Sequence, residues 1–93
     1  IYGAGHQSLA TISLTQISDN IKCVIDDATF KQGRYTPATH LPIVSNECLK
    51  TDPIDAIIIM AASYSDEVAK KIRSNFNNNI DMAILRDFGL EII

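Results

Sequence analysis

Ninety-three residues, 46% of them hydrophobic and 20% charged, make one globular domain rather than a disordered segment. A formal charge of −3 with scattered lysines and arginines excludes the basic footprint of a nucleic-acid binder. The longest apolar run, Ala56 to Ala62, is far too short to span a bilayer and no signal peptide is present, so a cytoplasmic protein is expected.

The chain opens on Ile1 and Tyr2, which run directly into Gly3, Gly5, His6 and Ser8. A buried strand needs about five residues, so the sequence reads as the C-terminal fragment of a longer polypeptide, forming one domain over residues 1–93. Ser8 to Ile17 predicts a helix, ended by Asp19-Asn20, and Ile21 to Asp26 a strand rich in β-branched residues. Asp27 to His40 predicts a long loop with a helical turn near Thr29 to Lys31, and Leu41 to Val44 a short strand. Ser45 is expected to cap a short helix that ends before Pro53.

Asp55 to Met60 is apolar at nearly every position, as in a strand covered on both faces. Ser63 or Ser65 should cap the next helix, whose acidic residues Asp66 and Glu67 precede Lys70, Lys71 and Arg73 in the order the helix dipole favours. Asn77-Asn78-Asn79 breaks that helix before a last strand, Ile80 to Leu85. Leu90 to Ile93 reads as an edge segment or the start of a further element. This alternation predicts a three-layer Rossmann-like open parallel sheet with strand order 3-2-1-4-5.

Gly3-Ala4-Gly5 at the entry to a helix is the geometry that lets backbone approach a phosphate. An acidic residue about 20 positions on then binds a ribose hydroxyl, and Asp26 and Asp27 fall at that distance. Ser8 stands where the third glycine would be, so the turn is either a dinucleotide site or one kept for geometry alone. His6 lies at the strand edge where ligands bind in such folds, and is a candidate phosphate donor or acid-base group. In the loop, Lys31, Arg34, Tyr35, Thr36 and His40 suit either a pyrophosphate or a neighbouring domain. Tyr64, after the central strand, is placed to stack on a ring. No catalytic set and no metal cluster is legible, and Cys23 and Cys48 read as two reduced, packed thiols.

Three stretches together resemble the C-terminal domain of the sugar C-methyltransferase family. They are I-Y-G-A-G-H, then V-I-D-D-A-T-F-K-Q-G-R-Y-T-P-A-T-H-L-P-I-V-S, then D-A-I-I-I-M-A-A-S-Y-S-D-E-V. The resemblance implies a Rossmann-like domain following a zinc-binding and an S-adenosylmethionine-binding domain. It further implies that the upstream domain holds the methyl donor and the catalytic residues. This domain would wall the site of a nucleotide-linked sugar and be inactive alone. The chain departs from the family pattern at Gln7, Ala10 and Thr11, at Ala61-Ala62-Ser63, and at Leu85-Arg86-Asp87-Phe88, all around the expected crevice. The acceptor therefore stays open between a nucleotide sugar and another small molecule. A free-standing nucleotide- or dinucleotide-binding module and a purely structural docking domain are the alternatives.

Overall fold

A computed structural model describes residues 1–52, 54–76 and 79–93. Pro53, Asn77 and Asn78, expected to terminate two helices, lie outside the described residues. Helix α1 runs His6–Thr15, two residues earlier than expected, because Gly5 serves as its extended N-cap. Gln16, in the left-handed region at φ 57°, ends it. Strands β1 (Val24–Ile25) and β2 (Ile43–Val44) are shorter than the apolar runs that encode them. Helix α2 (Cys48–Thr51), β3 (Ala56–Ile59), α3 (Ser65–Asn75), β4 (Asp81–Arg86) and β5 (Gly89–Ile92) complete the chain.

The expected three-layer parallel sheet of order 3-2-1-4-5 does not form. The strands make a two-stranded parallel ladder, β1–β2, and a three-stranded mixed ladder, β3–β4–β5. In the second, β3 and β4 are parallel, with Ile57 opposite Met82, while β5 is antiparallel to β4, with Ile84 opposite Glu91. Two causes are visible. The first expected strand is a single bridging residue, Tyr2, which pairs with Ile25 on one side and Ile59 on the other. At the other end, only Asp87 and Phe88 separate β4 from β5, enough for a hairpin and far too few for a parallel crossover. Gly89, at φ +133°, takes the backbone through that reversal.

Side chains alternate along these short strands and feed two apolar clusters. Val24 and Ile43 join Ala4, Ile12 and Leu41 under α1. Tyr2, Ile25, Ile57, Ile59, Met82 and Ile84 pack with Val68, Ala69 and Ile72, which α3 presents as one stripe. Fully burying an isoleucine contributes roughly 1.5–3 kcal/mol, so Ile12, Ile59, Ile72 and Ile84, all nearly inaccessible, anchor the two clusters. Ser65 is the first residue of α3 and not its cap: its hydroxyl instead accepts the Ala61 N–H at 3.1 Å. That bond fixes the exit of β3, where Tyr64 sits.

Candidate functional site

At Gly3 the chain passes so close to β3 that a Cβ would stand 2.4 Å from the Met60 carbonyl oxygen, with φ at +119°. Only glycine fits there. Gly5 has open space where its side chain would be, so its freedom is not forced by packing. Ser8, in the third-glycine position, is buried, and its hydroxyl donates to the Gly3 carbonyl at 2.7 Å. Its hydroxyl thus closes the turn from inside the helix.

Asp26 and Asp27 serve opposite sides of the molecule. The Asp26 carboxylate accepts the Ala4 N–H and the Ala28 N–H, each at 2.8 Å, and lies 3.8 Å from Lys31 Nζ. Lys31 in turn donates to the Ala4 carbonyl at 3.2 Å, and Gln32 to the Asp26 carbonyl at 2.9 Å. The residue placed to bind a ribose is thus engaged in tying the glycine turn to the loop. Asp27 faces α3: it accepts the Tyr2 hydroxyl at 2.6 Å and pairs with Lys71. Asn46 donates to both Asp27 and the Tyr2 oxygen, and the Lys71 ammonium lies 5.4 Å from the Tyr2 ring centre.

Burial acts to raise the Asp27 carboxyl, but the bonds from Lys71 and Tyr2 outweigh it and hold the group below its usual range. Burial and the Asp27 bond push the Tyr2 phenol up. For Lys71, burial is outweighed by the same carboxylate and by Tyr2, and its ammonium is held more firmly than usual. Tyr2, Asn46 and Lys71 carry no sequence signal for this cluster, since the contact joins residues 44 apart.

A crevice of about 1030 Å³ opens over the strand ends, lined by the glycine turn, His6, Asp26, Lys31, Tyr64, Arg86 and Asp87 among others. That volume accommodates a small-molecule ligand. His6 is exposed at the start of α1, and Tyr64 is 65% exposed on the facing wall. Arg86, which the sequence offered only as part of an edge, ends β4 on this wall. Its Nη1 and Nη2 face the Asp66 carboxylate at 3.3 and 2.8 Å, and its Nε and Nη2 face Glu91 at 3.1 and 3.0 Å. The arginine holds the Asp66 carboxyl below its ordinary range, and the two carboxylates raise the guanidinium above its own.

The loop residues divide. Lys31 reaches the crevice; Arg34, Tyr35, Thr36 and His40 are not among its lining residues. Thr36 is buried and accepts the Leu41 N–H at 2.8 Å while bonding Thr39 at 2.6 Å, so it shapes the loop. The loop folds back along β2 through Gly33 N–H to the Ile43 carbonyl and Ile43 N–H to the Arg34 carbonyl. Its tip carries the Tyr35 and His40 rings stacked 4.8 Å apart at 11°, with Arg34 exposed beside them. Phe30, 71% exposed, stands on the same loop.

Cys23 and Cys48 are free thiols, and burial, helped by the neighbouring Cys23, pushes the Cys48 thiol up to about 11. Among the described residues no group of His, Cys, Asp and Glu is arranged to hold a metal ion, and no helix is long and apolar enough to cross a membrane.

Compared with known families, residues 1–84 match the model of the C-methyltransferase C-terminal domain. No individual curated protein gives a significant match to the chain.

Proposed function

The chain belongs to the family of C-methyltransferase C-terminal domains, and from that membership we propose that it forms one wall of the acceptor site beside a separate methyl-donor-binding domain. The observation that carries this reading is the crevice, where Gly3, Gly5, His6, Lys31, Tyr64 and Arg86 converge without a nucleophile or a catalytic set. The domain contributes binding and orientation. Holding an acceptor in line with a donor group accelerates transfer through proximity, even when the wall does no bond chemistry of its own.

S-adenosylmethionine belongs to the companion domain in this reading. The first turn here does not fit its ribose, because both carboxylate oxygens of Asp26 already accept backbone N–H groups. The same engagement disfavours the dinucleotide-module alternative. The exposed loop tip, Arg34 with the Tyr35–His40 stack, faces away from the crevice residues and is proposed as the contact with the companion domain. An aromatic pair and an arginine are the residue types that dominate protein interfaces.

The test is methyl transfer by the parent protein with its own acceptor. Tyr64→Ala is expected to lower transfer at least tenfold, with S-adenosylmethionine affinity unchanged. An equal loss of donor affinity, or unchanged transfer, would sink the reading.

A further inference from the structure

The glycine turn and the far wall of the crevice share a property that bears on what they can hold. Each position from which an anion would be gripped is already filled by a carboxylate of the chain itself. In the turn, the Ala4 N–H that would cradle a phosphate donates to Asp26. Lys31 is held between that same carboxylate and the Ala4 carbonyl. On the wall, a guanidinium offers two planar forks to an oxyanion. Both forks of Arg86 are taken, one by Asp66 and one by Glu91.

Charge reinforces this geometry. The start of α1 supplies roughly half a positive charge. Lys31 and Arg86 are outnumbered by Asp26, Asp66, Asp87 and Glu91, so an arriving phosphate meets an excess of negative charge. Hydroxyl-binding groups remain: the Asp87 carboxylate and the exposed Tyr64 with its flat ring, with His6 opposite. We infer that the group seated in this crevice is an uncharged, hydroxyl-bearing ring, and that any phosphate on the same acceptor lies outside the crevice. The inference rests on the acceptor-wall reading and narrows it to a ligand class.

Backbone amide NMR of the 93-residue chain tests it, with methyl glucoside, glucosamine and inorganic phosphate as probes at constant ionic strength. Methyl glucoside is expected to shift the amides around His6 and Tyr64 saturably, and Tyr64→Ala to abolish the shifts while the rest of the spectrum is kept. Phosphate is expected to leave the Gly3 to Ser8 amides in place. The double variant Asp66→Asn with Glu91→Gln frees Arg86, and should gain phosphate binding about tenfold tighter than the parent chain, the worth of one charge-assisted hydrogen bond.

Phosphate shifting the glycine turn of the parent chain at or below the glucoside midpoint overturns the inference while the acceptor wall stands. Tighter binding of glucosamine than of the neutral glucoside overturns the uncharged assignment. Silence to all three overturns it as well, and transfer by the Tyr64→Ala parent protein then decides the acceptor wall separately.

Discussion

The glycine turn and the loop tip carry the same kinds of residues and spend them in opposite directions. In the turn, Asp26, Lys31 and Ser8 are all directed inward, each bonded to backbone of the turn or loop. At the tip, Arg34, Tyr35 and His40 are exposed, with the two rings stacked on each other. A run rich in hydrogen-bonding side chains therefore says nothing by itself about a ligand. What decides is whether the backbone nearby has unpaired groups to satisfy. The turn has them, and its polar side chains are consumed; the tip pairs its own backbone along β2 and leaves its side chains over.

Substitutions graded across the two regions break or sharpen this contrast. Gly3→Val has the largest expected effect, because it combines a left-handed backbone with a collision against the Met60 carbonyl. A loss of about 3 kcal/mol or more is expected in urea unfolding. A variant as stable as the parent would remove the close approach from the account. Asp26→Ala should cost about 2 kcal/mol, since it strips the partner from the Ala4 and Ala28 N–H groups. Were its cost near zero, the turn would not be braced from within.

Lys71→Met is expected to cost about 1 kcal/mol near neutral pH, as its ion pair with Asp27 is half-exposed. The difference should depend on pH at both ends. Asp27 has a lowered folded pKa, so its contribution is present above the ordinary 3.8 and lost as pH falls through the lower folded value. Lys71 has a raised one, so its contribution is present below the ordinary 10.5 and lost as pH climbs through the folded value. A pH-independent gap between the two proteins would count against the pair. Arg34→Ala with Tyr35→Ala should change stability by no more than about 0.5 kcal/mol. Its effect belongs in association with the methyl-donor domain, measured by titration calorimetry, and unchanged affinity would return the tip to a solvated surface.

Much of the element order was legible because apolar runs, caps and charge order act locally. Asp55 to Met60 announced β3, and the Asp66–Glu67 to Arg73 gradient announced α3. The sheet was not legible in the same way. That Ile1-Tyr2 yields one bridging residue, and that Asp87-Phe88-Gly89 reverses the chain, depends on which neighbours each strand finds. For the site, Gly3, Gly5, His6, Asp26, Lys31 and Tyr64 meet at the crevice as expected, whereas Asp27, Arg34, Tyr35, Thr36 and His40 do not line it. Alternation along an extended chain sends successive side chains to opposite faces, which already argued against Asp26 and Asp27 serving one ligand. No local rule pairs Asp27 with Lys71 or Arg86 with Asp66, and these were missed.

Tyr2 has a consequence for how the domain comes apart. Among the described residues it bridges the two ladders, its N–H bonded to the Ile58 carbonyl and its own carbonyl accepting the Met60 N–H. Beside it, Gly3 N–H and Ile25 N–H complete the seam towards β1. Cooperative unfolding of the two halves passes through those four bonds. Amide exchange should register the seam directly: the Met60 and Ile25 protons exchange only with whole-molecule opening, and weakening the seam divides one melting unit into two.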